Sequence, residues 1–296
     1  MEWAIYWHGQ AKRLPQTEAH FQPDATAADL KSRLAGRTLT FCITAGRTGS
    51  VYVEQVLSLL PEVRAEHEPE PAFQRYLRRV QQDPSHARRF MLKYKLPYIA
   101  QLDVRHYVET SHVFGKGFLE PTLRIGIVPN LILLRREPRK VALSYLERYT
   151  VPGRTKYGFE FLLQPDDPKV MPLPGWRRMN DYQLCFWYAL EVERRQREYA
   201  ELIRKLGGRV AETTALALND GRRFLDFASS LGFLPESVDS DELLKRHAAV
   251  SRKEHNKNPA SLTISGDLDA AEAEVWDRIS DVEPLLRQQV AEIYAL

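Results

Sequence analysis

Residues able to bind an oxyanion cluster at positions 44–50, where the sequence reads Thr-Ala-Gly-Arg-Thr-Gly-Ser. Glycines let the backbone approach a ligand closely, and the N–H groups that open a helix point at anionic oxygens. Arg47 adds a permanent cation, while Thr48 and Ser50 add hydroxyl donors. The spacing therefore predicts a phosphate-binding loop. The residues expected to contact the bound group are Gly46, Arg47, Thr48, Gly49, Ser50 and Val51.

The segments on either side are those that such a loop needs. Residues 38–43 form an apolar, β-type run directly before the loop. After the loop, apolar residues recur at helical spacing from Val51 to Leu60. The order strand, glycine-rich turn, helix is the local structure that places backbone N–H groups around a phosphate.

A second candidate site lies in residues 131–148. An apolar strand ends in arginine, and Pro138 opens a helix that carries Ser144, eight positions after Arg136. An arginine at the carboxyl end of a strand and a serine two turns into the next helix can close on one phosphate. The guanidinium fork and the hydroxyl suit that dianion.

The loop differs from a Walker-A loop, which has a lysine before its serine or threonine. Here Gly49 is followed directly by Ser50, and the cation comes earlier, at Arg47. The loop resembles instead the 5′-phosphosulfate loop of the sulfotransferases, T-x-x-[KR]-[ST]-G-[ST]. The matching residues are Thr44, Arg47, Thr48, Gly49 and Ser50.

The pair Arg136 and Ser144 resembles the 3′-phosphate motif of the same family, and the resemblance covers most of residues 38–235. It implies a three-layer α/β/α fold with a central, mostly parallel sheet, similar to that of P-loop NTPases. It also implies transfer of a sulfonate group from 3′-phosphoadenosine-5′-phosphosulfate (PAPS) to a hydroxyl of a small-molecule or saccharide acceptor. No metal is implied, because arginine and lysine supply the positive charge.

Residues 63–69 are expected to form a second strand that ends at Glu68, because Pro69 cannot continue a ladder. A strand that ends in Glu-Pro resembles the same place in carbohydrate and tyrosine-protein sulfotransferases, where the glutamate takes the acceptor proton. Glu68 is therefore the first choice of general base, with the neighbouring His67 in reserve.

Residues 89–97 resemble the K-T-H-L-P strand of the cytosolic sulfotransferases, with Lys95 at the catalytic histidine's place. A lysine near its ordinary pKa is a poor base, so Lys93 and Lys95 are expected to stabilise charge on the transferring group. Residues 105–112 are expected to form another strand, with His112 lining the acceptor pocket. The catalytic candidates are Arg47, Glu68, Lys93 and His112, and the choice of base stays open among Glu68, Lys95 and His112.

The chain of 296 residues is interpreted as one domain. Residues 1–37 form an N-terminal extension, 38–235 the cofactor-binding core, and 236–296 a C-terminal helical region. Residues 150–175, rich in proline, glycine and charge, are expected to form a lid on the acceptor side. The basic segment 251–258 fits a phosphate clamp and a solvated surface equally well.

Composition excludes several classes of function. With 42 basic and 39 acidic residues the net charge is +3, less basic than expected of a nucleic-acid binder. Cys42 and Cys185 lie in apolar segments without metal-ligand spacing, which predicts buried free thiols. Neither a signal peptide nor an apolar run of membrane-spanning length is recognised, so a cytoplasmic protein without a membrane span is expected.

Two other classes of protein remain open. A P-loop kinase of a small molecule would need a lysine beside Ser50 and an acidic magnesium ligand after a strand. The first is absent from the loop, and the second is not identified. A non-catalytic nucleotide-binding protein is the other alternative. The sequence leaves the acceptor and the oligomeric state open.

Overall fold

Apolar runs form the strands of one sheet within residues 27–235, 237–252 and 267–294, which the computed structural model describes. The strands are β1 (Thr38–Ile43), β2 (Val63–Glu66), β3 (His106–Glu109), β4 (Asn130–Arg135) and β5 (Val210–Thr214). Every pairing among them is parallel, in the spatial order β2-β3-β1-β4-β5. The predicted α/β class with a mostly parallel sheet is confirmed.

Helices fill the connections between the strands. The helices are α1 (Ala27–Arg33), α2 (Ser50–Leu57), α3 (Leu77–Gln82), α4 (Ser85–Phe90), α5 (Leu96–Gln101), α6 (Leu119–Arg124), α7 (Pro138–Leu146), α8 (Lys156–Phe161), α9 (Asp181–Lys205), α10 (Gly221–Ser230), α11 (Ser240–Ser251), α12 (Leu268–Ile279) and α13 (Leu286–Tyr294). Shorter 3₁₀ turns cover Phe73–Tyr76, Trp176–Arg178 and Ala217–Asn219, and one π-helical turn covers Met91–Lys95.

The sheet lies between two helical layers, because neighbouring residues of a strand point to opposite faces. Phe41 of β1 packs in a cluster that includes Tyr199 of α9. Cys42, the next residue, packs in a cluster that includes Val53 of α2 and Phe224 of α10. All of these side chains are buried. The burial of both faces is consistent with the predicted three-layer arrangement.

Helix α9 supports the carboxyl edge of the sheet. It begins with a capping box, in which the side chains of Asn180 and Gln183 accept hydrogen bonds from each other's backbone N–H. Farther along, the buried amide of Gln196 donates to the carbonyl of Ile43, the last residue of β1, over 2.6 Å. The helix thereby holds the end of the strand from which the 44–50 loop departs.

The strand order creates a crevice between β1 and β4. From β1 the chain passes to α2, on the face that includes Cys42, and on to β2 at one edge of the sheet. From β4 it passes to α7, which packs against α9, and on to β5 at the other edge. Ligands of open α/β sheets bind where two neighbouring strands send their connections to opposite sides. Both predicted anion-binding segments leave the sheet at this point.

One predicted strand is wrong. Residues 89–97 belong to α4, the π-helical turn and α5 rather than to the sheet. The buried side chains Ala87, Phe90, Met91 and Ile99 follow helical rather than alternating spacing. Pro97 lies in the first turn of α5, where the absence of its N–H leaves no hydrogen bond unmade.

Other boundaries also differ from the prediction. β2 ends at Glu66, so Glu68 lies beyond the strand, and β3 covers only four residues of the expected 105–112. The next helix, α6, begins at Leu119, after a turn in which Gly117 has φ 117°. Within the described chain, no helix has both the length and the apolar character required to cross a membrane. Both cysteines are buried and free, as predicted.

Candidate active site

The loop from Thr44 to Gly49 contains three residues with positive φ, of which two are glycines. Gly46, Arg47 and Gly49 have φ values of 81°, 60° and 90°, in the left-handed region. Glycine enters this region freely, whereas a side chain such as that of Arg47 makes it costly. The hydroxyls of Thr44 and Thr48 lie 2.6 Å apart and hydrogen-bond across the loop. Strained residues of this kind cluster at functional sites.

Two buried tyrosines hold the loop in place. The hydroxyls of Tyr145 from α7 and Tyr188 from α9 both donate to the carbonyl oxygen of Ala45, over 2.6 and 2.7 Å. Tyr188 is fully buried. A Cβ atom on Gly46 would overlap the Tyr145 hydroxyl, so the close approach requires glycine there.

The loop delivers the chain into α2 without a side-chain cap. Gly49 is the N-cap residue, and no side chain accepts from the first turn of the helix. The N–H groups that open a helix lack intrahelical partners and carry partial positive charge. Ser50 and Val51, which begin the helix, line a cavity of 540 Å³. The backbone thus presents hydrogen-bond donors to an anion in that cavity.

Three arginines line the same cavity: Arg47, Arg136 and Arg148. Among the residues that the structure describes, none of the three forms an ion pair with a carboxylate. Burial, followed by the charge of Arg148, lowers the pKa of Arg47, and burial also lowers the pKa of Arg136. Arg47 and Arg136 are partly buried, whereas Arg148 is exposed. A partly buried cation without a carboxylate partner is unfavourable unless an anion binds beside it.

The structure brings Arg136 and Ser144 together through Arg47. The guanidinium of Arg136 donates to the backbone carbonyl of Arg47, and Nε of Arg47 donates to the Ser144 hydroxyl over 3.2 Å. Ser144 is buried and does not line the cavity, while Arg136 does. The two predicted phosphate motifs are therefore parts of one contact network. Joint contact of Arg136 and Ser144 with a single phosphate stays a prediction.

Glu68 and His112 meet at the other side of the cavity. β2 and β3 are neighbours in register, with Glu66 opposite Glu109, so the residues beyond both strand ends come close together. Nδ1 of His112 lies 2.5 Å from Oε1 of Glu68. Glu68 has a φ of 47°, again in the left-handed region. His67, the reserve candidate, also lines the cavity, but its Nδ1 contacts the Thr110 carbonyl at 3.0 Å.

The pair is a carboxylate and a neutral imidazole. Burial raises the pKa of Glu68, but the hydrogen bond from His112 acts in the opposite direction, and the pKa of the carboxyl is lowered. Burial, together with the nearby Lys116, lowers the pKa of His112, although Glu68 acts in the other direction. At neutral pH we therefore assign Glu68 as ionised and His112 as neutral, joined by one hydrogen bond.

The two lysines predicted from the cytosolic motif do not line the cavity. Lys95 is fully buried in the core, where it pairs with Glu109 at 2.9 Å and lies 4.6 Å from the ring centre of Phe73. Lys93 is exposed on the π-helical turn. The error follows from the missed helix: Lys95 reaches the end of β3 from within the core, where it binds Glu109, and not from inside the cavity.

The cavity contains residues that the sequence interpretation missed. Arg148 lies four positions after Ser144, a spacing that places two residues on one face of a helix. This spacing could have indicated Arg148 as a cavity residue. Tyr157 and Phe161 of α8 form an aromatic wall, with ring centres 6.1 Å apart and planes at 19°. Nothing local marks them as cavity residues. The lining residues are Gly46, Arg47, Gly49, Ser50, Val51, His67, Glu68, His112, Arg136, Tyr145, Arg148, Thr150, Tyr157 and Phe161.

The segment 150–175 supplies that wall, although it is more ordered than a simple loop. It contains α8, and its Leu162, Leu163 and Met171 are buried in the cluster around α9. Thr150, Tyr157 and Phe161 line the same cavity as the 44–50 loop. A role of the segment as an acceptor-side lid stays a prediction.

The basic segment is described only at Ser251 and Arg252, so the question of a clamp at 253–258 lies outside the described residues. Residues 1–26 of the N-terminal extension also lie outside the described residues.

Comparison with known proteins adds no relative: no protein-family model matches the chain, and no curated protein matches it significantly. The fold and the site therefore define its class by themselves. The chain is an α/β protein with a parallel five-stranded sheet and an arginine-lined cavity where the connections of the sheet diverge. In the part of the chain described, no cluster of three or more histidine, cysteine or acidic side chains has metal-site geometry.

Proposed function

We propose that the protein is a PAPS-dependent sulfotransferase that transfers a sulfonate group to a hydroxyl of a small-molecule or saccharide acceptor. The observation that carries this proposal is the convergence of Arg47, Arg136 and Arg148 on one cavity, where none of them pairs with a carboxylate of the described residues. The uncapped start of α2 faces the same cavity. A donor with several phosphate and sulfate charges satisfies this excess of positive groups.

The residues present fit the donor in two places. The 44–49 loop and the first turn of α2 would hold the 5′-phosphosulfate, since glycine at 46 and 49 keeps the approach to the backbone open. Arg136, one strand away, would hold the 3′-phosphate, in keeping with the motif resemblance. Ser144 would contribute indirectly, because its hydroxyl accepts a hydrogen bond from Nε of Arg47 and so orients that arginine.

When bound, the donor supplies the sulfonate group and a bisphosphate leaving group. Arg47 is placed to stabilise negative charge that develops between the two, because it is the cation within the loop. Arg148 and the aromatic wall of Tyr157 and Phe161 face the acceptor side. The hydroxyl proton of the acceptor passes to the Glu68–His112 pair, the candidate base group in contact with this cavity.

A small-molecule kinase is the second candidate, and one observation weighs against it. A phosphoryl-transfer site of the P-loop type holds magnesium with an acidic residue. Glu68 is the carboxylate among the cavity residues, and its Oε1 is already engaged by His112. A non-catalytic nucleotide-binding protein is the third candidate. Assays with labelled PAPS and labelled ATP distinguish the three candidate functions.

The donor assignment is tested by comparing adenosine 3′,5′-bisphosphate with AMP in a thermal-shift titration. A ligand present at a hundredfold its Kd stabilises the fold by about 2.7 kcal/mol. The bisphosphate should therefore raise Tm far more than AMP at equal concentration, and Arg136→Ala should remove most of that difference. Equal shifts with the two nucleotides in the unaltered protein would overturn the proposal.

Arg139→Ala is the matched control. Arg139 lies in the first turn of α7, three residues after Arg136, but pairs with Asp269 and Glu272 and does not line the cavity. Its loss changes a partly exposed ion pair, which contributes about 0–1 kcal/mol. The control variant should keep the full difference between bisphosphate and AMP. A loss of that difference in both variants would indicate general destabilisation instead of a lost 3′-phosphate contact.

A further inference from the structure

The contact between Glu68 and His112 determines which atom of the pair can accept a proton. At 2.5 Å, Oε1 of Glu68 and Nδ1 of His112 share a short hydrogen bond. Glu68 is ionised, with a pKa of about 2, and an ionised carboxylate can only accept. Nδ1 must therefore be the protonated nitrogen. The neutral imidazole then carries its lone pair on Nε2.

The other ring nitrogen, Nε2, lies on the edge of the imidazole near the anion-binding loop. Among the described residues, no hydrogen-bond partner contacts Nε2 of His112, whose side chain is 16% exposed. A Cβ atom on Gly46 would lie 3.2 Å from Cγ and 3.3 Å from Cδ2 of the imidazole. Cδ2 is bonded to Nε2, so the ring edge that carries the lone pair lies beside the anion-binding loop. Phe161 of the aromatic wall lies on another side, 6.4 Å between ring centres.

We infer that Nε2 of His112 is the general base for the acceptor hydroxyl, and that Glu68 is a positioning residue that fixes the imidazole tautomer. This assignment rests on the proposed sulfonate transfer. It reverses the roles expected from the sequence, where the Glu-Pro ending made Glu68 the base. The same division of labour operates in other carboxylate–histidine pairs, where the carboxylate orients the ring.

The chemical step balances without a further reactant. The acceptor oxygen forms a bond to sulfur while its proton passes to Nε2 of His112. The bond between sulfur and the bridging oxygen breaks, and its electron pair leaves with the phosphate. The imidazolium that forms is stabilised by the Glu68 carboxylate at Nδ1 and afterwards releases its proton to water.

The hydrogen bond within the pair disfavours Glu68 as the base. Oε1 of Glu68 is engaged by Nδ1 of His112, and this hydrogen bond lowers the pKa of the carboxyl and so weakens it as a proton acceptor. The charged and titratable groups around the imidazole are Glu68, which favours its protonation, and His67 and Lys116, which oppose it. Lys116 is buried and donates to the carbonyl of Phe161 at the end of α8 over 2.6 Å.

The test compares His112→Asn with Glu68→Gln, both measured as kcat/KM against pH with labelled PAPS. In the unaltered protein, kcat/KM should fall as the pH drops through the imidazole pKa, below the ordinary histidine value, because the protonated ring cannot accept. His112→Asn should lower kcat by about 10²–10⁴-fold and remove this acid limb. Glu68→Gln should also lower kcat, but the acid limb should remain and move to lower pH.

Three outcomes overturn the inference. They are a wild-type rate that stays flat down to pH 4, a His112→Asn variant that keeps more than a tenth of kcat, and an acid limb lost only in Glu68→Gln. The bisphosphate thermal shift shows whether each variant still folds and binds the donor product. If the protein transfers no sulfonate at all, the proposed function fails. The tautomer of His112 can still be measured, so the role of Glu68 is tested separately.

That measurement is the ¹⁵N spectrum of the imidazole side chains, with His112 assigned by its absence in His112→Asn. Protonation at Nδ1 in the unaltered protein and a shift toward the other tautomer in Glu68→Gln support the positioning role. A His112 signal that Glu68→Gln leaves unchanged overturns it, whatever the catalytic rate. The His67 signal is the internal control, because Nδ1 of His67 contacts Thr110 rather than Glu68.

Discussion

Replacement of Lys95 by methionine separates a structural role for this lysine from the catalytic role that the sequence suggested. The Nζ atom of Lys95 donates to Oε2 of Glu109 over 2.9 Å, and both side chains are fully buried. Tyr107 donates to the same oxygen, while the other carboxylate oxygen of Glu109 has no hydrogen-bond partner in the described chain. Loss of the lysine would leave a buried carboxylate with a single donor.

The expected loss depends on pH. Removing one partner of a buried ion pair costs about 3–5 kcal/mol of unfolding free energy when the other partner stays charged. Burial raises the pKa of Glu109 from 4.5 to about 7, even beside Lys95. The folded state therefore holds this proton more tightly than the unfolded chain. That contribution to stability is complete below pH 4.5 and is lost as the pH rises through about 7.

The difference between a pKa of about 7 and the ordinary value corresponds to about 3 kcal/mol in unfolding free energy. Lys95→Met should increase this pKa difference, because the cation that opposes protonation of Glu109 is removed. We expect the variant to lose most stability at pH 8 and much less at pH 5, where Glu109 takes up a proton. Urea unfolding at both pH values measures this change, and Glu109→Gln should remove most of the pH dependence.

The double variant Lys95→Met/Glu109→Gln is the control. It keeps an acceptor for Tyr107 and contains no buried charge, so it should recover stability relative to Lys95→Met at pH 8. A Lys95→Met protein that is as stable as the unaltered one at pH 8, yet has lost turnover, would refute the reasoning. Lys95 would then act at the active site.

Two further substitutions test the loop. Arg47→Ala should lower turnover about a hundredfold with little change in Tm, while Arg47→Lys keeps the charge and should lose less; full activity of the alanine variant would contradict the proposed role. Gly46→Ala, measured by urea unfolding, should cost about 1–2 kcal/mol for its left-handed φ and more for the overlap with Tyr145. Gly36→Ala has a similar φ of 77° and open space, so equal losses in the two would show that the overlap is unimportant.

Local sequence patterns determined much of the architecture. Apolar β-type runs located β1 and β4, and the glycine-rich turn between β1 and α2 was predicted from residue types alone. These features depend on contacts between residues close in sequence, such as the freedom of glycine at positive φ. The cap of α10 is local in the same way, because the side chain of Asp220 accepts from the N–H of Arg223 over 2.9 Å.

The prediction for residues 89–97 was wrong because it followed a known motif and not the period of the apolar residues. Residues 89–97 were interpreted as a strand because Lys93 and Lys95 matched positions in a family pattern, although buried residues there repeat at helical spacing. Attention to the period from Ala87 to Ile99 would have predicted helix. The Lys95–Glu109 pair could not have been predicted, since it depends on how that helix packs against β3.

The sequence by itself determined that two anion-binding segments follow two strands of a parallel sheet, because strand, turn and helix signals are local. Only the tertiary structure decided which side chains share the cavity. β3 lies between β1 and β2, so His112 reaches both Glu68 and the loop at Gly46. Strand order arises from the packing of both faces of the sheet against helices distant in sequence. It therefore cannot be predicted from the period of hydrophobic residues within one segment.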